Sequence, residues 1–415
     1  MAQFTIIADD LTGAADTGSC FAEAGFATAI PLRSDSGLTA DVLAVSTESR
    51  DLAAPAAAAV LAQTVAALYD STHASTPRWL YKKIDSALRG HPRDELLTTM
   101  TAAGLRKALV APAFPAEGRT TLGGRQFVDG IPVEASRLGS PGATSDLIAV
   151  FAKANLPVHP LALPTIRAGP DAIRATMATI ESGIAIADAE IDVDLAALAE
   201  AVADRQDWLL CGAAGFARQL APVLPLSHAS PRLPAIETSR DPVLVVAGSR
   251  HEATTRQIAH LQAAGFPVVR LDQATIETSE AMNDSIVAET AAALRGNTAV
   301  VLTTAGLSRS ALGERSVAAI LADIAIEDRV SDACGGLVLT GGDVAMAVCD
   351  GLRADAIRLH GDVLPGIPWG TLLGGKRPGL PIVTKAGSFG GDGALLTAVT
   401  FLHERMAASR DTAAD

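Results

Sequence analysis

Glycine residues crowd a turn that follows a short apolar run near the carboxyl end of the sequence. The run spans residues 382–384, and AGSFGGDG follows at 386–393 before an apolar helical pattern resumes. A strand that ends in glycines at a helix start exposes backbone N–H groups, and the helix dipole adds positive potential. Such a turn suits the phosphates of a nucleotide, and Lys385 adds a mobile charge beside it. The spacing fits no Walker or dinucleotide motif, so a plain strand-to-helix turn that needs glycine for positive φ is an open alternative.

Two further glycine turns occur in the same half of the chain, again after apolar runs. GSR follows the run 243–247, and GGD at 341–343 follows the run 336–340. Because the carboxyl ends of parallel strands meet at one edge of a sheet, the three turns predict a nucleotide site there. The polar side chains that would contact phosphate, or hold Mg²⁺ through water, are those of Ser249, Thr340, Asp343 and Asp392. For each aspartate, capping of a helix N-terminus is the alternative role.

Charged residues gather just after the apolar runs of the first half. They are Asp9, Asp10, Arg50, Lys82, Lys83, Asp85, Ser86, Arg89, Arg119 and Arg125. Cations beside carboxylates suit a small polyhydroxylated acid, because cations bind its carboxylate and aspartates accept from its hydroxyls. An aspartate here would also accept the proton of an attacking hydroxyl, as in kinases. Surface ion pairing is the alternative, above all for Arg89, Arg93 and Arg119, which we expect to be merely solvated.

The elements that must position these groups alternate between strands and helices. The apolar run 4–8 precedes a helix that begins at residue 12 or 13, and 79–81 predicts another strand. The pattern predicts an α/β protein of two domains, each with a mostly parallel sheet flanked by helices, and an active site in the interdomain cleft. The Pro- and Ser-rich stretch 226–240 is the predicted linker, so the domains would span 1–225 and 241–415.

Composition limits the classes of partner. A net charge of −13 and a pI near 5.1 argue against a nucleic-acid or anionic-membrane surface. We expect no signal peptide, because no basic segment precedes an apolar core, and no apolar run has the length of a membrane span. Four widely separated cysteines predict buried free thiols in a reducing cytoplasm. The eight histidines lack ligand spacing, so a zinc site is not expected.

Several segments, in order from end to end, resemble the four-carbon acid sugar kinase family. They are IIADDLTGAADTG at 6–18, TESR at 47–50, YKKIDSALRG at 81–90, APAFPAEGRTTLGGRQFVDGIPV at 111–133, VVAGSR at 245–250, LTGGDVAMAV at 339–348, GIPWG at 366–370 and VTKAGSFG at 383–390. The resemblance implies an N-terminal acid-sugar-binding domain and a C-terminal nucleotide-binding domain. It also implies Mg²⁺- and ATP-dependent phosphorylation of the 4-hydroxyl of threonate, erythronate or an oxo-tetronate. The segment KKIDS resembles the threonate/erythronate branch of the family more than the oxo-tetronate branch.

The same resemblance implies roles for individual residues. Those that would bind the acid are Asp10, Arg50, Lys82, Lys83, Ile84, Asp85 and Ser86. Our own hypothesis is that Asp10 or Asp85 is the catalytic proton acceptor. Those that would bind ATP are Ser249, Gly341, Gly342, Asp343, Val344 and Gly387. The resemblance names no metal ligands.

Two departures from the family pattern limit this transfer. His91, Pro92 and Arg93 stand where a small segment is expected, so Arg89 and His91 are not assigned roles. Ser388 stands where the turn often has another glycine, and a positive φ there would cost about 1 kcal/mol.

Two rival functions and the assembly state stay open at this point. A non-catalytic metabolite-binding regulator would use the same clefts. A nicotinamide-dependent dehydrogenase is disfavoured because no Gly-x-Gly-x-x-Gly follows a strand. The oligomeric state is not determined, with a homodimer as the candidate assembly, and the stereochemistry of the acid is open.

Overall fold

The computed structural model describes residues 2–33, 38–70, 79–139, 142–153, 156–227, 242–271, 280–304 and 317–408. They form two compact units, one of Met1–Thr28 with Thr39–Pro231 and one of Ala29–Leu38 with Arg232–Asp415. Most of the predicted linker, residues 228–240, lies outside the described residues. Among the described helices, none combines the length and the apolar character that a bilayer crossing requires.

The elements up to residue 220 are, in chain order, β1 (Phe4–Ala8), α1 (Leu11–Glu23), β2 (Thr28–Pro31), β3 (Val42–Ser46), α2 (Ala54–Asp70), β4 (Trp79–Lys83), α3 (Pro92–Ala103), β5 (Lys107–Ala111), β6 (Arg119–Leu122), β7 (Arg125–Val128), β8 (Ile131–Pro132), α4 (Leu147–Ala152), β9 (Val158–Leu161), α5 (Leu163–Arg167), α6 (Pro170–Ala178), β10 (Gly183–Ala187), α7 (Asp192–Val202), β11 (Leu209–Gly212) and α8 (Ala214–Leu220).

The first unit contains a parallel sheet with the strand order β3-β1-β4-β11-β5-β10-β9. All five residues of β1 and of β10 are buried, as expected for parallel strands that helices cover on both faces. Leu61 and Val65 of α2, with Leu96 and Met100 of α3, pack on one face. The long segment after β5 is not irregular, because β6, β7 and β8 form a small antiparallel sheet within it.

The later elements are β12 (Val243–Ala247), α9 (Glu252–Ala263), β13 (Val268–Arg270), α10 (Glu280–Gly296), β14 (Ala299–Thr303), α11 (Val317–Ile326), α12 (Asp328–Ser331), β15 (Gly336–Thr340), α13 (Gly342–Gly351), β16 (Ala356–Leu364), β17 (Ile367–Leu373), β18 (Pro381–Lys385) and α14 (Ala394–Ala408).

The second unit contains the strand order β13-β14-β12-β15-β18-β17-β16-β2. The strands from β13 to β18 in that order are parallel, whereas β16 and β17 form an antiparallel hairpin. The sequence pattern did not predict this hairpin, or that β2 lies beside β16. The predicted α/β class with mostly parallel sheets is confirmed, and all four cysteines are buried free thiols, as predicted.

Candidate active site

The carboxylate of Asp10 is fixed at the amino end of α1. Asp10 adopts an extended backbone (φ −143°, ψ 162°) and caps the helix, accepting from the Gly13 N–H at 2.8 Å. The Thr12 hydroxyl donates to its other oxygen at 2.6 Å, and Arg50 forms an ion pair with that same oxygen. The cap stabilises the helix start and holds a charged oxygen at the carboxyl edge of β1.

Arg50 joins the two aspartates that follow β1. Its Nε and Nη2 donate to Asp9 at 2.8 and 2.7 Å, and its Nη2 lies 3.9 Å from Asp85. Burial alone would raise the pKa of Asp9, but the charge and hydrogen bonds of Arg50 outweigh it and lower that pKa. Burial would likewise lower the pKa of Arg50, yet Asp10 and Asp9 raise it well above its usual value. Asp9 and Arg50 therefore stabilise each other's charged form.

Asp85 and Arg89 form a second ion pair in the loop after β4. Arg89 Nη2 donates to Asp85 at 2.6 Å, and the Ala87 N–H donates to the other carboxylate oxygen at 2.9 Å. Burial would raise the pKa of Asp85, but the charges of Arg89 and Arg50 outweigh it and hold that pKa well below its usual range. The expectation that Arg89 is merely solvated is therefore wrong, because its guanidinium is bound to the site's own carboxylate.

Lys82 and Lys83 are neighbours in β4, but their ammonium groups have opposite surroundings. Strand β4 extends through both residues, two beyond its predicted end, and buries both. Lys82 Nζ forms a 2.6 Å ion pair with the buried Glu95 of α3 and donates to two backbone carbonyls. In the part of the chain that the structure describes, Lys83 Nζ has no hydrogen-bond acceptor and no carboxylate within 4.0 Å. A Cβ on Gly13 would lie 3.1 Å from that ammonium.

The remaining residues of this stretch have structural surroundings. Ile84 packs in the core, and Ser86 is buried with its carbonyl accepting from Gln126 at 2.8 Å. Arg119 is buried 3.5 Å from Glu117, and Arg125 contacts Ser145 and Glu134. The structure therefore brings Asp9, Asp10, Arg50, Asp85 and Arg89 together, whereas Arg125 contacts Ser145 and Glu134 instead.

The three glycine turns of the second unit share one sheet edge, as predicted. Ala247 at the end of β12 pairs with Thr340 of β15, and Thr340 pairs with Lys385 of β18. The turns that follow these strands are consequently neighbours. The Gly341 N–H donates to the Lys385 carbonyl at 2.9 Å, which connects the second turn to the third.

Ser249 lies between two of these glycines. A Cβ on Gly387 would overlap the Ser249 hydroxyl and lie 2.9 Å from Ser249 Cβ, so this position requires glycine for space. Gly341 has φ 100° and forms the N-cap of α13, a backbone conformation that favours glycine. Gly387 and Ser388 do not have positive φ, so the strain considered for Ser388 does not arise.

The candidate magnesium residues lie at the surface of this edge. Asp343 is exposed in the first turn of α13, and Asp392 forms a 2.9 Å ion pair with Arg256. Gly342 follows the N-cap, and Val344 is buried against the position where a Cβ on Gly248 would lie. Within the described ranges, no three His, Cys, Asp or Glu side chains are grouped as metal ligands.

Lys385 does not supply a mobile charge. Its side chain is buried, and Nζ donates to the carbonyls of Ala386, Gly387 and Phe389 at 2.9, 3.3 and 3.2 Å. That expectation is wrong because the turn curls back over the end of β18 and places its carbonyl groups around the ammonium.

Comparison with known proteins now bears on this geometry. A family model described as a sugar-binding N-terminal domain matches residues 4–220, and a nucleotide-binding C-terminal domain matches 244–395. D-threonate kinases from Salmonella typhimurium and Bordetella bronchiseptica are 34% and 36% identical, each covering 96% of this chain and 98% and 97% of the relative. The chain belongs to the four-carbon acid sugar kinase family. It is a kinase, and the resemblance noted in the sequence is confirmed.

More distant relatives in this kinase family carry other substrate names. A D-erythronate kinase from Heliobacterium modesticaldum is 29% identical, covering 97% of both chains. A 3-oxo-tetronate kinase from Methylobacterium radiotolerans is 30% identical, covering 93% of this chain and 96% of the relative. A solved structure from Salmonella typhimurium LT2 has a TM-score of 0.79 at 21% identity, covering 96% of this chain and 99% of that one, which supports the fold.

Several residues that organise the two candidate sites were not singled out in the sequence. Glu95 holds Lys82, and Thr254 and Gln257 of α9 hold the third glycine turn. Each is an ordinary polar residue on an amphipathic helix. The signal that could have identified them in the sequence is a polar residue on the apolar, inward-facing side of a helix.

Proposed function

We propose that this kinase transfers the terminal phosphoryl group of ATP to the 4-hydroxyl of a four-carbon sugar acid, with D-threonate as the preferred acceptor. The 34% and 36% identities to D-threonate kinases exceed the 29% and 30% to the D-erythronate and 3-oxo-tetronate kinases. D-Erythronate and 3-oxo-tetronate are the alternative acceptors. The buried free thiols support a cytoplasmic location.

The observation that carries the proposal is the ammonium of Lys83, which has no hydrogen-bond acceptor and no carboxylate within 4.0 Å among the described residues. The charges of Asp9 and Asp85 act on it only from a longer distance, so it is left able to bind an anion. The carboxylate of a small acid would supply the missing partner. Lys82 cannot serve equally, since Glu95 already binds it, so its contribution to acid binding is indirect.

Arg50, Asp10 and Asp85 complete the proposed acid site. Arg50 already binds two carboxylates, so it would orient Asp10 as well as attract the substrate. The aspartates would accept hydrogen bonds from the hydroxyls of the acid, and one of them would take the proton of the attacking 4-hydroxyl. Asp85 stays ionised because of its two arginine neighbours, which makes it a weak base and favours Asp10 for that step.

ATP is proposed to bind the glycine turns of the second unit. The amino end of α13 offers the positive end of a helix dipole and the N–H of Gly342, which has no acceptor among the described residues, whereas the Gly341 N–H already binds the Lys385 carbonyl. Gly387 leaves room for Ser249 beside them. Mg²⁺, when bound with the nucleotide, reduces the charge on its phosphates, and Asp343 would hold the ion through water.

The test is ADP formation from ATP and Mg²⁺ with each candidate acid. Purified enzyme should release ADP with D-threonate at the highest kcat/KM, with lower values for D-erythronate and 3-oxo-tetronate and none for a three-carbon acid. Highest kcat/KM with 3-oxo-tetronate would select that alternative. Absence of ADP with every four-carbon acid would overturn the proposal.

A further inference from the structure

The backbone of the third glycine turn has its carbonyl groups on one side. Lys385 Nζ donates to three of these carbonyls, those of Ala386, Gly387 and Phe389. Gln257 Nε2 donates to the carbonyls of Phe389, Gly390 and Gly391 at 3.0, 3.0 and 3.1 Å. Thr254 Oγ1 donates to the Gly387 carbonyl at 2.9 Å. Among residues 386–391, every carbonyl except that of Ser388 is therefore held by a side chain.

Four N–H groups of the same turn have no protein partner among the described residues, whereas that of Phe389 donates to the Ala386 carbonyl at 3.2 Å. Within the described residues, no hydrogen bond uses the N–H of Gly387, Ser388, Gly390 or Gly391 as donor. Consecutive backbone N–H groups that point to one side form a concave site for anions. The side chains that bind the carbonyls thus determine where these donors point.

The three side chains come from two elements and are all buried. Thr254 and Gln257 lie one turn apart on α9 and are fully buried, and Lys385 ends β18. None of these three side chains is exposed enough to contact a bound ligand directly. A buried polar group is costly unless it forms hydrogen bonds, so an apolar side chain would pack better at these positions. The contribution of these three donors is therefore to bind the turn.

We propose that Thr254, Gln257 and Lys385 are positioning residues for the nucleotide. They would hold the turn at 386–391 with its N–H groups toward the phosphates, without contacting ATP themselves. The inference rests on the proposed function, because it assumes that the anion at this turn is a nucleotide phosphate. The inference goes beyond the proposed function because it assigns part of the phosphate affinity to side chains behind the turn.

The experiment compares Thr254→Val and Thr254→Ser with wild-type enzyme. Valine has the shape of threonine without the hydroxyl, so we expect KM for ATP and the calorimetric Kd for ADP to rise about 2- to 10-fold. KM for the acid should stay unchanged, and Thr254→Ser should restore the nucleotide values. Thr255→Val, at an exposed position of the same helix, is the matched control.

Gln257→Leu is the second variant, and it removes three hydrogen bonds from the turn. We expect KM for ATP to rise about 10-fold or more while KM for the acid stays at the wild-type value. A purely structural role would lower Tm and leave both KM values unchanged, and that result in both variants would overturn the inference. If wild-type enzyme itself binds no ADP in calorimetry, the proposed function fails first, so the two failures are distinguishable.

Discussion

The guanidinium of Arg50 holds the carboxylate of Asp9 with two hydrogen bonds, Nε to Oδ2 at 2.8 Å and Nη2 to Oδ1 at 2.7 Å. Asp9 is almost fully buried, so this fork replaces the water that the carboxylate lost on folding. Arg50 also binds Asp10, the proposed proton acceptor. One side chain therefore couples the stability of the first unit to the geometry of its site.

Replacement of Arg50 should affect both stability and acid binding. Arg50→Ala leaves Asp9 buried without a partner, so the free energy of unfolding should fall by about 3–5 kcal/mol. KM for the acid should rise, with little change in KM for ATP. Chemical denaturation and steady-state kinetics measure both, with Arg205→Ala at the surface as control.

A double variant separates the unpaired charge from other effects. Arg50→Ala with Asp9→Asn removes the uncompensated carboxylate and should be more stable than Arg50→Ala alone. If the double variant is less stable, the loss in the single variant does not arise from Asp9. A rise in KM for ATP alone would instead assign Arg50 to the nucleotide.

The two neighbouring lysines of β4 should give opposite results. Lys82→Met leaves the buried Glu95 without its cation, so the free energy of unfolding should fall by about 3–5 kcal/mol. Lys83→Met removes an ammonium without an ion-pair partner within 4.0 Å among the described residues, so stability should change much less while KM for the acid increases at least 10-fold. Each variant is the control for the other. Wild-type acid affinity in Lys83→Met would exclude this ammonium as the carboxylate-binding group.

Stability of the first unit should depend on pH through Asp85. Its pKa is lowered in the folded state, so the stabilisation is present above the unfolded value of about 3.9 and is lost as pH falls below it. The expected slope is about 1.4 kcal/mol per pH unit for one proton. Unfolding of wild type and Asp85→Asn should differ at pH 7 and converge below pH 4. A difference that is constant across this range would contradict the assignment.

The Gly387 position should tolerate no side chain while Ser249 is present. Gly387→Ala would force Cβ onto the Ser249 hydroxyl and displace the turn, so Kd for ADP should rise about 10-fold or more. Gly296→Ala, which meets no neighbouring atom, is the matched control. Adding Ser249→Gly to Gly387→Ala should relieve the overlap and recover Tm. An unchanged Kd in Gly387→Ala would show that the turn does not need this close approach.

Sequence patterns predicted which residues gather at the sheet edges. Apolar runs ending in Asp9, in Gly341 or in Gly387 marked strands, and parallel pairing placed their carboxyl ends together. The hairpin of β16 and β17 was not predicted, because β16 contains charged residues and the register of the pair has bulges. Its pattern therefore lacks a clear alternation.

The partners of individual charges could not be predicted in the same way. Lys82 and Lys83 are equivalent in the sequence, and strand alternation places them on opposite faces. Which of the two meets Glu95 depends on how α3 packs against β4, which is a tertiary contact. Lys385 shows the same limit, since its buried contacts depend on the path of the turn that follows it.

The most direct test of the whole account is a crystal structure with a non-hydrolysable ATP analogue and D-threonate. We predict the triphosphate against Ser249, Gly341 and Gly387 of the second unit, and the acid's carboxylate within 3.5 Å of Lys83 Nζ in the first unit. A nucleotide bound in the first unit, or D-threonate bound away from Lys83 and Asp10, would contradict it.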